Sequence, residues 1–224
     1  MTLLFTAIAP VFTVIVYIYI KDKFEKEPKL LLFYNFLFGA IVSILTSTIL
    51  YFLYDALLPH PDKLNIFHQF LKAFFMVGIV EEFSKYVIVR YYAQPKKAFN
   101  EPFDGIIYAV MVSMGFAFTE NILYIFEGGF NVALLRAITA VPAHAVFAII
   151  MGYFMGIAKF SKHKVKWNLI GLSLAVIFHG AYDFFLFINF IPGVSIGAFV
   201  SLFIGVILAK RAIKTHQNNS RFKL

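Results

Sequence analysis

Apolar residues fall into seven runs along the chain, over 3–20, 30–54, 66–92, 103–126, 132–158, 167–190 and 195–209, with short polar stretches between them. About 20 helical residues cross a hydrocarbon core roughly 30 Å thick, so each run reads as one crossing, the last being short. The pattern predicts an all-α, polytopic integral membrane bundle of about seven transmembrane helices. The connections are brief, and neither a low-complexity tract nor an internal repeat interrupts them, so a single transmembrane domain over 1–224 is expected. The longest connection on its side, 55–65, carries Pro59 and Pro61.

Polar positions inside these runs carry the chemistry, because a charge at the centre of a helix in lipid costs roughly 2.5 to 3.5 kcal/mol. The third run holds Glu81, Glu82 and Lys85 within five positions. On a helix Lys85 lies one turn beyond both acids, so it fully neutralises only one and leaves the other free to exchange a proton. A structural ion pair locking two helices together is the plain alternative. The fourth run holds a further acid, Glu120, with Asn121 beside it and Phe116 one turn before.

In the fifth run Ala140, His144, Ala148, Gly152 and Gly156 recur every four residues, a narrow stripe of small side chains broken only by the histidine. Small stripes let helices approach closely, so His144 is expected to point into the bundle. Pro142 is expected to bend the helix just before it. The sixth run repeats the device with Gly171, Ala175, His179 and Asp183, placing Asp183 to hold the His179 imidazole in one tautomer. Counted at about 1.5 Å per residue from the expected helix ends, Glu81, His144 and His179 reach a common depth near mid-bilayer. Glu120 lies nearer the outer leaflet.

Composition agrees with a membrane protein and adds its orientation. The chain is 61% apolar, 19% aromatic and only 14% charged, too apolar for a soluble domain. Its net charge of +8 does not mark a nucleic-acid binder, because of where the basic residues lie. Lys21, Lys23, Lys26 and Lys29 fall in the first loop, Arg90, Lys96 and Lys97 around the third, and Lys159, Lys162, Lys164 and Lys166 in the fifth. Lys210, Arg211, Lys214, Arg221 and Lys223 fall in the tail, while loops on the other side hold only Lys63. Positive residues stay inside, so the N-terminus is expected outside and the C-terminus in the cytoplasm. Lys72, Lys85 and Arg136 remain within helices. With no cysteine, disulfides, thiolate metal sites and a cysteine nucleophile are excluded.

Four segments in order, Glu81-Glu82-x-x-Lys85, Phe116-x-x-x-Glu120-Asn121, Pro142-Ala143-His144 leading to Gly152, and His179-Gly180-x-Tyr182-Asp183, resemble the motif set of the PrsW family. These are multi-pass proteases of the bacterial plasma membrane. The resemblance implies a site-1 cut in a single-pass substrate, an anti-sigma factor, which begins release of a stress sigma factor. It also implies that Glu81 and Glu82 form the catalytic pair with His179 as an essential partner, and that Glu120, Asn121, His144 and Asp183 belong to the site. The chain is distantly similar to the prenyl-protein (CAAX) endopeptidases, but departs from their Glu-Glu-x-x-x-Arg and Phe-x-x-x-His patterns: Tyr86 follows Lys85, and Glu120 stands in place of the histidine.

The residues leave two chemistries open. His144, His179 and Glu81 make a His2Glu set suited to Zn2+ with an open position for water. A glutamate–histidine mechanism without metal uses the same side chains, with Glu81 or Glu82 as base and His179 or Asn121 as the donor to the oxyanion. The competing function is a proton-coupled transporter, since mid-membrane acids and histidines also build proton relays. Paired broken helices in an inverted repeat would mark it, and none is evident.

Overall fold

The computed structural model describes residues 2–57 and 62–223. Pro59 and Pro61 of the 55–65 connection lie outside the described residues. Among the described residues the chain is helical with no strand: α1 (Thr2–Lys21), α2 (Lys29–Leu57), α3 (66–93), α4 (Phe103–Ile138), α5 (Ala140–Phe160), α6 (Lys164–Phe187) and α7 (Ile196–Asn218). Five helical stretches are long and apolar enough to cross a membrane, with α4 and α5 forming one stretch, Phe103–Phe160. The rod α3 falls outside that set because Lys72, Glu81, Glu82, Lys85 and Arg90 interrupt it.

The bundle is built around α4 and α5. Ser113 donates to the His144 carbonyl, while Gly105 packs on Gly152 and Gly156, so the two helices run antiparallel. A Cβ at Gly105 would collide with the Gly152 carbonyl oxygen, and one at Gly39 with that of Val112. Backbone meets backbone at both crossings, which is how helices associate where lipid removes the hydrophobic drive. The faces of α1, α2 and α7 turned away from this centre carry exposed Phe5, Phe52, Leu57, Phe199 and Phe203, as lipid-facing surfaces do.

Two boundaries differ from expectation. The apolar pattern breaks the fourth and fifth runs at 127–131, but helical structure continues through a kink at Gly129 (φ 66°, ψ −154°) and stops at Thr139. Glycine alone tolerates that backbone, so a single residue within the polar break turns the chain and the flanking segments stay helical up to it on both sides. Pro142 consequently sits in the first turn of α5, where its missing N–H is unneeded, and it is not the cause of a mid-helix bend.

The rod α3 is not a uniform α-helix. Its segments Lys72–Gly78 and Val89–Ala93 are π-helical, as is Gly39–Ser43 in α2. Such widened turns shift the register of the residues after them, and Lys72–Gly78 directly precedes the segment that carries the acidic pair.

The basic loops gather at one end of the bundle. Gln217 donates to the Lys21 carbonyl, Lys159 to that of Gln94, and Gln94 to both the Met155 carbonyl and Asn168. The Gly129 kink and the C-terminal end of α2 lie at the other end.

Candidate active site

Halfway along the bundle, α3, α4, α5 and α6 place ionisable side chains against one another. The acids Glu81 and Glu82 lie on the first turn of the α-helical segment Ile79–Ile88, and Lys85 one turn later. Lys85 Nζ is 2.7 Å from Glu82 Oε1 and 3.4 Å from Glu81 Oε2, with its side chain fully buried. It also lies 4.2 Å from the centroid of the Phe116 ring, which explains the aromatic residue one turn before Glu120. Ammonium, carboxylates and ring face together offset a charge that lipid would not tolerate alone.

Both histidines point inward, as their small-residue stripes predict. His144 Nδ1 lies 3.3 Å from Lys85 Nζ, and its Nε2 lies 2.9 Å from Glu120 Oε2. An ammonium only donates, so Nδ1 accepts and Nε2 carries the proton shared with Glu120. His179 places Nδ1 2.9 Å from Glu82 Oε1, which fixes Nδ1 as a donor. Its Nε2 faces Asp183 Oδ2 at 3.4 Å and Glu81 Oε2 at 3.9 Å. The expected Asp183–His179 pairing is therefore present, but Glu82 from another helix makes the shorter bond. The Phe147 ring stacks on His179 with centroids 5.0 Å apart and blocks its rotation.

A cavity of about 600 Å3 opens from this cluster toward the end of the bundle away from the basic loops. Glu81, His144, His179, Glu120 and Asp183 line it, and Glu82, Lys85 and Asn121 do not. The two glutamates, adjacent in sequence, thus have different surroundings: Glu82 is buried behind the wall and Glu81 forms part of it.

Asn121 turns away. Its amide donates to the Ala7 carbonyl on α1 and its oxygen accepts from Arg136 Nε. Arg136 also grips Glu120 Oε2 at 2.7 Å across the Gly129 kink. Two residues that sequence reasoning left without a role are thereby added. Arg136 was visible as an unpaired charge inside an apolar run, a signal that a partner had to exist. Tyr51, whose hydroxyl donates to Glu81 Oε1 at 2.8 Å, gave no signal, because nothing in sequence connects it to an acid 30 positions on.

Ligand atoms of Glu81, His144 and His179 lie within 4.8 Å of one another. By donor type this set fits a zinc ion, and Glu82 supports the His179 imidazole from behind as a carboxylate supports a ligating histidine. Lys85 is the cation that serves two of the three here.

Residues 27–209 match the family described as PrsW family intramembrane metalloprotease. The chain belongs to the PrsW family. It is 36% identical to Protease PrsW of Oceanobacillus iheyensis over 187 residues, 83% of each chain. It is 35% identical to Protease PrsW of Geobacillus kaustophilus over 83% of this chain and 80% of that one. Against Protease PrsW of Bacillus subtilis the identity is 36% over 182 residues, 80% of both chains. No solved structure matches the chain. This PrsW-family protein is accordingly a multi-pass membrane enzyme, an intramembrane peptidase, and family membership favours protease over transporter.

Proposed function

We propose that the enzyme makes the first cut in a single-pass membrane protein, an anti-sigma factor, and that Glu81 is the base that activates water. The carrying observation is the contrast between the two acids: Glu81 lines the cavity and Glu82, held by Lys85 and His179, does not.

In this reading Glu81 takes a proton from water as the water oxygen bonds to the peptide carbonyl carbon. Tyr51 positions its carboxylate from one side. In its imidazolium form, with Nδ1 donating to Glu82 and Asp183 facing Nε2, His179 donates from Nε2 on the same cavity wall to the developing oxyanion. Glu81 then returns the proton to the leaving nitrogen as the C–N bond breaks, and regains its charge. His144, His179 and Glu81 are the residues that would hold Zn2+, which when bound supplies Lewis acidity toward water and the carbonyl. Glu120, clamped by Arg136, holds His144 in position.

The distribution of lysine and arginine supports a cytoplasmic position for the basic loops and an outward position for the N-terminus. The cavity then opens to the outer half of the bilayer, where Lys72, Leu123, Tyr124 and Phe187 line its mouth. A substrate helix keeps its peptide groups bonded internally and must unwind locally before cleavage, which is easiest near its outer end. The cut is expected within or just outside the outer leaflet. Co-reconstitution with a single-pass anti-sigma factor, with mass spectrometry of the products in the presence and absence of a chelator, tests this. A sole cut on the basic-loop side would place the working mouth at the other end, and unimpaired cleavage after complete chelation would remove zinc.

A further inference from the structure

A second cluster of acids lies at the basic end of the bundle, away from the proposed catalytic residues. The α1–α2 loop contributes Asp22, Glu25 and Glu27, the approach to α4 contributes Glu101, and the first turn of α4 contributes Asp104. Asp22 and Asp104 are 0% exposed, Glu101 1% and Glu27 2%. Carboxylate oxygens of Glu25, Glu27 and Asp104 lie within 4.8 Å of one another.

Among the described residues no basic side chain of the protein is set against these acids, and none forms an ion pair with any of the five. Lys26 is nearest in sequence, but its ammonium donates to the Tyr19 and Asp22 carbonyls. Some oxygens are used: Asp104 Oδ2 accepts from the Asn100 and Glu101 amides, Glu27 Oε2 from Tyr108, and Glu101 Oε2 from Ser220. Others face no partner. Both oxygens of the fully buried Asp22, one of Glu27, one of Asp104 and one of Glu25 are buried without a hydrogen bond. A buried carboxylate left in this way is costly, whereas one bound cation would accept the converging lone pairs of Glu25, Glu27 and Asp104 together.

We propose that Glu25, Glu27 and Asp104, with Asp22 beside them, bind one hard divalent cation, calcium or magnesium, that pins the α1–α2 loop to the start of α4. The donors are all oxygen, with no imidazole or thiolate, which selects calcium or magnesium over zinc. The ion joins segments about 80 positions apart in sequence.

The test uses the full-length protein, purified in detergent and stripped of metal. Equilibrium dialysis against radioactive calcium, with magnesium as competitor, should show one ion per chain, and magnesium competition strength identifies which ion the site prefers. Thermal unfolding should shift upward by several degrees on adding the preferred ion. Uptake should be weakened at least about tenfold in Glu25→Gln and lost in Asp104→Asn, yet persist in Glu81→Gln. Glu25 is only half-buried, so its variant reads out even where Asp104→Asn fails to fold. Absence of uptake of either ion at millimolar concentration would overturn the proposal. So would uptake unchanged by the Glu25 and Asp104 variants, or uptake abolished by Glu81→Gln, which would place the ion in the mid-membrane cluster.

Discussion

Two clusters of buried acids in one small protein solve the same electrostatic problem differently. At mid-bundle, Glu81, Glu82, Glu120 and Asp183 meet Lys85, Arg136 and two imidazoles, and each acid has at least one such partner within 4 Å. At the rim, acids cluster with one another. Burial, reinforced by the charge of Asp104, pushes the Glu27 carboxyl up to about 10, and burial raises Asp22 to about 6 although Lys26 opposes it. Five rim carboxylate oxygens have no partner, against one, Glu82 Oε2, at mid-bundle. Lipid supplies no counter-charge at mid-membrane, so the charges there are matched by the chain itself. Near the aqueous boundary a proton or a cation can be drawn from solution, so the chain can leave acids unmatched.

The largest effects should come from the mid-bundle acids, and they should separate by position. Glu81→Gln should lower the rate of substrate cleavage at least about a hundredfold while leaving thermal stability close to wild type, because Glu81 sits on the cavity wall. Lys85→Met should abolish activity by another route, destabilising the fold by about 3 to 5 kcal/mol as two buried acids lose their cation. Denaturation in detergent distinguishes the two, and an unstable Glu81→Gln with a stable Lys85→Met would reverse the assignment of roles.

His179→Ala should lose about a hundredfold in rate, and Asp183→Asn about tenfold, because Glu82 still orients the ring from Nδ1. Tyr51→Phe should also cost about tenfold, read in kcat more than in KM, since the hydroxyl positions the base and does not bind substrate. Full activity in His179→Ala would remove the proposed centre.

The smallest effect should fall on Asn121→Ala. Its amide ties α4 to α1 and to Arg136 outside the cavity, so about 1 to 3 kcal/mol of stability should go while the rate per folded molecule stays within a few-fold of wild type. A hundredfold rate loss without destabilisation would return Asn121 to the chemistry.

Much of the fold is legible in the residues alone. Period and length of the apolar runs define helices, because a chain in lipid must satisfy its backbone within each segment. The stripes Ala140–His144–Ala148–Gly152 and Gly171–Ala175–His179 determine which faces turn inward, since only small side chains permit the observed backbone approach. The charges of Glu81, Glu82, Lys85, His144 and His179 are too costly in lipid to be isolated, so their meeting could be inferred from depth. Tertiary structure decided what depth and periodicity cannot encode. Rotation of α3, altered by its π-helical turn, put Glu81 on the cavity wall and Glu82 behind it, a distinction between neighbours in sequence. Packing across helices paired Tyr51 with Glu81 and Glu82 with His179, and the Gly129 kink paired Arg136 with Glu120 within α4, each a contact beyond the reach of local pattern. That kink carried Arg136 back to Glu120, where the pattern at 127–131 marked only a break between two runs. Local pattern states which side chains cannot face lipid. Only the arrangement of all the helices determines which other side chain each one meets.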